Sequence, residues 1–317
     1  MKRNLQLVWL VLIATTISLS SCSKEENGTN IADEQLAISD EVLEKIEALG
    51  FSSENAVAFI DENGETSYIV EGDVLLKDHH LGMEKGSSVV IADEEHYRMT
   101  LTPEFGSEFY QTDRNTGEQV LVRRKESIRV LLEDNFPAVY WQAMQIVQDR
   151  YDHVSGLRFY ITPIQDPNDP NCSPCVRTNE DITIVNQFTG FLGLADPPYE
   201  RTITTRGGSQ ITTIEPGEVI RLDPNLIGNE GAEHIASIIA HELGHTIGYR
   251  HTDWQNRSYS CNTGGQEADP DNIGAVHIPG TPTGPDSGSW MLACIDDGQN
   301  RPFTYNDRVA LRYVHGF

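Results

Sequence analysis

The spacing of apolar positions divides the chain into a sequence of elements. Val42, Ile46 and Leu49 fall on one helical face. Ser39 stands ready as N-cap, Ile38 and Leu43 as a hydrophobic staple, and Gly50 as the stop. Residues 56–60 and 67–70 flank Asp61-Glu62-Asn63-Gly64 and predict a hairpin. A further strand is expected over 88–92. Beyond residue 120 the pattern strengthens: a strand over 128–132, an amphipathic helix over 136–151 with Val139, Met144, Val147 and Tyr151 on its inner face, then strands over 157–161, 182–185 and 219–222. Ile235, Ile238, Ile239 and Leu243 line a second long helix, which Asn229 or Glu230 can start. The order predicts an α+β chain: a small α+β unit over 37–121, then a larger domain over 122–317 whose sheet and long helices leave a cleft.

The second long helix carries the chemistry. Residues 241–251 read H-E-x-x-H-x-x-G-x-x-H, the extended zinc-protease pattern. Residues four apart share a helix face, so His241 and His245 can grip one ion. Gly248 can turn the chain sharply out of the helix and bring His251 back as third ligand. Three protein ligands leave one position for water, the catalytic rather than the structural zinc arrangement. Glu242 is off the ligand face but within reach of that water, as a general base should be.

The N-terminus predicts export. Lys2 and Arg3 precede an apolar run from Leu5 to Ile17, so residues 1–21 read as a signal peptide. Leu19-Ser20-Ser21-Cys22 resembles the lipobox of bacterial lipoproteins, which implies cleavage before Cys22, its lipidation, and a polar tether over 22–36. An outer-membrane lipoprotein is expected, with Lys24-Glu25-Glu26 similar to short signals for surface exposure, and its only membrane contact the lipid anchor. Loss of residues 1–21 removes Lys2 and Arg3 and no acidic side chain, so the 23 basic side chains fall to 21 against 48 acidic ones, and the formal charge moves from −25 to −27. Such a balance argues against a nucleic-acid partner. A monomer is expected. His79 and His80 are adjacent and read as surface residues. Val122-Arg123-Arg124-Lys125 reads equally as a cleavage site for releasing a pro-segment or as a solvated loop or strand edge.

His241 to His251, followed by Thr252 and Asp253, is similar to the zinc helix of the metzincin clan, and residues 241–254 most resemble the bacterial dual-action HEIGH metallopeptidases. The resemblance covers about residues 126–317, and more loosely 37–85, including Tyr68-Ile69-Val70-Glu71-Gly72-Asp73. It implies a twisted mixed sheet with a long helix and a zinc helix, a methionine turn at Met291 beneath the metal, a closing helix near residues 303–311, and hydrolysis of peptide bonds in extended protein or peptide substrates. Residues 190–197 occupy the place where the clan offers an edge strand to substrate. Ala293 stands where some metzincins carry an extra tyrosine ligand. No cysteine lies between Cys22 and Cys172, so a cysteine latch is absent. An aspartate such as Asp73 could block the metal instead, but the sequence does not select it.

Four cysteines besides Cys22 allow three pairings. Cys261–Cys294 is the expected pair, because it would tie the loop after the zinc helix to the methionine turn; Cys172–Cys175 then remains. Asp166, Asp169, Asp296 and Asp297 offer oxygens to calcium, although solvated turns explain them as well. Two other functions fit the sequence: a surface-binding lipoprotein with a metzincin fold and weak turnover, and a zinc amidase acting on cell-wall material.

Overall fold

The computed structural model describes residues 37–61, 64–82, 97–99, 109–112, 119–124, 127–152, 154, 158–162, 181–204, 208, 210–261, 265, 267, 275–282 and 284–315. The signal peptide, Cys22, the tether, the strand expected over 88–92, Lys125, Asp166, Asp169, Cys172 and Cys175 lie outside them. Among the described residues no helix is long and apolar enough to cross a membrane.

Helix α1 (Asp40–Ala48) starts at Ser39, whose hydroxyl accepts from Val42 N. Strands β1 (Val57–Ile60) and β2 (Thr66–Val70) pair antiparallel, and β3 (Val74–Leu76) follows antiparallel to β2. Short helix α2 (Asp78–Leu81) comes next, then β4 (Tyr97–Met99), β5 (Phe109–Thr112) and β6 (Gln119–Arg124). The larger region runs β7 (Ser127–Leu132), α3 (Ala138–Asp152), β8 (Arg158–Thr162), β9 (Ile182–Asn186), β10 (Gly193–Ala195), β11 (Tyr199–Thr204), β12 (Gln210–Glu215) and β13 (Val219–Leu222). It ends with α4 (Pro224–Ile227), α5 (Ala232–Thr246), α6 (Ser258–Cys261), β14 (Ala275–His277) and α7 (Tyr305–His315).

The main sheet of the described residues has the order β1-β2-β3-β10-β13-β9-β7-β8. β7, β8, β9 and β13 are mutually parallel, and β10 is antiparallel to β13. β3 joins β10 in parallel through Ala195 and Val74. The strands expected to form a separate N-terminal domain therefore continue the sheet of the larger region, and Gln35–Phe317 form one compact unit. Helices α3 and α5 pack on each other and on this sheet, burying Met144, Val147, Ile235, Ile239 and Leu243 with Ile184, Ile220 and Leu222. The apolar spacing read from the sequence is what those helices bury.

Three expectations need correction. Helix α5 begins at Ala232 with Gly231 as N-cap, not at Asn229 or Glu230; Gly231 supplies an extended backbone and no capping side chain. Arg123 and Arg124 lie within β6 and pair with Thr213 and Ile214 of β12, so they are not in a loop; β5 pairs with β6 only over residues 119–122, which leaves the strand-edge reading standing. His80 is buried, not a surface residue: its Nδ1 accepts from Lys77 N at 3.0 Å and its Nε2 meets Pro197 O at 3.1 Å. His79 is exposed.

Candidate metal centre

Helix α5 is almost wholly buried from His234 onward. It ends in a Schellman turn: Gly248 has φ 97°, its N–H donates to His245 O at 3.0 Å, and Tyr249 N donates to Gly244 O at 2.9 Å. The reversal carries His251 back beside the helix. The Nε2 atoms of His241 and His245 come within 3.1 Å of each other, and those of His241 and His251 within 3.2 Å.

Each ring is held from behind. His241 Nδ1 donates to Trp290 O at 2.8 Å, and His245 Nδ1 to Tyr249 O at 2.9 Å. His251 Nδ1 donates to Glu267 Oε1 at 2.7 Å. Because a carbonyl can only accept, the proton of His241 and of His245 must be on Nδ1. Their Nε2 lone pairs therefore converge on one point, an arrangement that repels itself unless a cation sits between them. Three imidazoles with outer hydrogen-bond partners are a donor set suited to zinc.

A fourth group stands at the same point. Asp73 Oδ2 lies 2.9 Å from His251 Nε2 and 3.3 Å from His241 Nε2, and Oδ1 lies 3.5 Å from His245 Nε2. One donor atom from each of Asp73, His241, His245 and His251 falls within 4.8 Å of the others. Burial pushes the Asp73 carboxyl up, but His251, His245 and His241 outweigh it and hold it well below the usual carboxylate range. Burial lowers His251, yet Asp73 and Glu267 override that and hold it up to about 10. Burial, helped by the neighbouring His245 and His251, brings His241 down to about 4 against the pull of Asp73. Burial and the neighbouring Asp73 charge push Glu242 well above its ordinary value.

Glu242 packs against β10. A Cβ on Gly193 would overlap its carboxylate, so only glycine lets β10 pass there. Its Oε2 is buried without a hydrogen-bond partner. A cavity of about 290 Å³ opens beside Glu242 and His241, walled by Phe191, Leu192, Ile238, Trp290, Leu292 and Ile295. Met291 is buried beneath the zinc helix: a Cβ on Gly244 would come within 2.5 Å of its sulfur and 2.6 Å of the Trp290 ring. The turn holding it is fastened twice. Asp307 accepts from Ser289 Oγ at 2.9 Å and Trp290 N at 3.4 Å, and Asp253 accepts from Ala293 N at 2.9 Å. Cys261 and Cys294 form a disulfide across the same junction.

Residues 206–315 match the dual-action HEIGH metallo-peptidase family. With the ligand set above, that match makes the chain a zinc metallopeptidase. No curated protein matches. Among solved structures, one of myroilysin is 14% identical and aligns over 60% of this chain and 80% of its own at a TM-score of 0.32. A second myroilysin structure is 11% identical over 64% and 93%, at 0.32. The hatching-enzyme zinc-protease high choriolytic enzyme 1 of the medaka fish Oryzias latipes is 15% identical over 65% and 94%, at 0.27.

The structure brings His241, His245, His251, Glu242, Gly248 and Met291 into one site. Asp296 and Asp297 are not among the groups it gathers for a metal. Sequence reasoning missed Glu267, which lies 16 residues beyond His251 with nothing in its surroundings to mark it.

Proposed function

We propose that this chain is a zinc-dependent endopeptidase of exported proteins, held in a latent state in which Asp73 covers the metal position. The observation that carries the reading is the convergence of three buried Nε2 atoms beside the unpartnered carboxylate oxygen of Glu242. Zinc bound there would lower the pKa of water toward neutrality and polarise the scissile carbonyl. His241, His245 and His251 hold the ion, and Trp290 O, Tyr249 O and Glu267 fix their rings. Glu242 accepts a proton from the attacking water at its free oxygen and delivers it to the leaving amine nitrogen.

Strand β10 supplies the backbone edge for an extended substrate. In the latent state β3 already pairs with it, so the edge is able to accept a strand. The cavity beside Glu242 takes an apolar side chain of the substrate. For the setting we infer a lipoprotein anchored at Cys22 in the outer membrane; the support is the Leu19-Ser20-Ser21-Cys22 pattern, and metabolic lipid labelling of Cys22→Ala tests it.

The test of activity is cleavage of a peptide library and of casein, set against purified cell-wall material, with and without chelator. Glu242→Ala should keep one zinc per chain and lose about 10²- to 10⁴-fold in turnover. An unchanged rate in the purified variant would falsify the mechanism, and cleavage of wall material alone would move the assignment to an amidase.

A further inference from the structure

The three histidines are only part of what holds Asp73 in place. Glu71 and Gly72 have φ of 55° and 96°, so the chain turns through the left-handed region just before it reaches the site. A non-glycine residue holds that conformation only where its surroundings impose it. Two arginines from the segment following α5 do so. Arg250, next to the ligand His251, donates from Nε to Glu71 Oε2 at 3.1 Å and from Nη2 to Glu71 Oε1. Its Nη1 donates to Gly50 O at 2.7 Å, and its guanidinium lies 4.7 Å from the centre of the Phe51 ring. Arg257 donates from Nη1 to Glu71 O at 2.6 Å and pairs with Glu267 at 3.1 Å, the carboxylate that orients His251. A Cβ on Gly72 would meet the Arg257 guanidinium at 3.0 Å.

The hydrogen bonds described for Arg250 all go to residues 50–71. The pair is buried on both sides, with side chains 3% and 1% exposed. A buried guanidinium that loses its carboxylate is strongly unfavourable. With β3 displaced, Arg250 would lose the Glu71 carboxylate and Arg257 the Glu71 carbonyl, while Arg257 would keep its pairing with Glu267. A two-pronged guanidinium–carboxylate contact is specific for a carboxylate, because an amide offers only one acceptor oxygen.

We propose that Arg250 and Arg257 form an acidic-peptide binding site beside the metal, occupied in the latent chain by Glu71, and that this site rather than metal coordination alone keeps the enzyme latent. It takes a glutamate side chain followed by a glycine, since any larger residue would meet Arg257. The inference rests on the latent-peptidase reading above.

The experiment uses the full-length, zinc-loaded chain and its Glu71→Gln variant. Two quantities are read: the rate on a quenched peptide, and hydrogen exchange at the amides of Val74, Leu75 and Leu76, the latter with zinc and with chelator. E71Q should raise the rate at least tenfold and speed exchange in β3 under both conditions. A synthetic peptide of residues 68–76 should then inhibit E71Q in trans, at least tenfold better than the same peptide carrying glutamine at position 71. Should E71Q fail to fold, Glu71→Asp, which keeps the charge and shortens its reach, is read in the same way. Parent-like latency and exchange in the variant, or equal inhibition by the two peptides, overturns the proposal. If no variant cleaves any peptide while exchange in β3 still rises, the peptidase reading fails and the acidic-peptide site stands.

Discussion

Asp73 places a carboxylate oxygen 2.9 Å from Nε2 of His251, a residue 178 positions further along the chain. The contact joins the turn between β2 and β3 to the third metal ligand. Asp73→Asn removes the charge while keeping the shape. Hydrogen bonds to charged groups are worth roughly 1.5–3 kcal/mol, so the full chain should gain about 10- to 100-fold in peptide cleavage. Assay of the purified, unprocessed chain is decisive: a variant as silent as the parent removes Asp73 from any latching role.

Glu267 holds His251 from behind at 2.7 Å. Partners of this kind fix the ring and raise its basicity as a ligand, and losing one typically costs about 10- to 100-fold in metal affinity. Glu267→Ala should weaken zinc binding by that factor in a chelator competition. Parental affinity would mean that the contact orients nothing.

Two glycines in the site answer to different neighbours. At Gly193 an added methyl would displace the Glu242 carboxylate, so Gly193→Ala should lower kcat while zinc stoichiometry holds. At Gly244 it would strike Met291 and Trp290, whose carbonyl orients His241. Overpacking of that kind costs roughly 1–3 kcal/mol, so Gly244→Ala should lower the melting temperature and zinc affinity together. Kinetics and thermal melts on both variants separate the two effects; identical profiles would contradict them.

His80 gives docking of the N-terminal region a pH dependence. Burial, reinforced by His79, brings its pKa down from 6.5 to about 3. Below pH 6.5 the unfolded chain therefore takes up a proton that the folded chain refuses. The stability contributed by neutral His80 is complete above about pH 6.5 and is lost as pH falls toward 3, by about 1.4 kcal/mol for each pH step of one across that window. Thermal melts over the same range should show a steeper loss for the parent than for His80→Asn. Parallel curves would show that His80 does not carry the effect.

Much of the fold was legible because its helices are amphipathic. Met144, Val147, Ile235, Ile239 and Leu243 were placed by spacing alone, and all are buried. The start of α5 was not legible, because its N-cap is a glycine whose contribution is backbone shape. Strand β3 is three residues long, too short to show a period, and only its pairing with β2 and β10 makes it a strand.

The sequence by itself determined the metal chemistry: ligands four apart on a helix, a base beside the first, and a glycine that turns the third back are all short-range, and local geometry is enough to relate them. What only the tertiary structure decided is which distant carboxylates serve that centre. Asp73 above the histidines, Glu267 behind His251 and Glu71 on Arg250 come from separate segments, and pairing across such separations is set by how the sheet closes and which charges it buries, which no local spacing records.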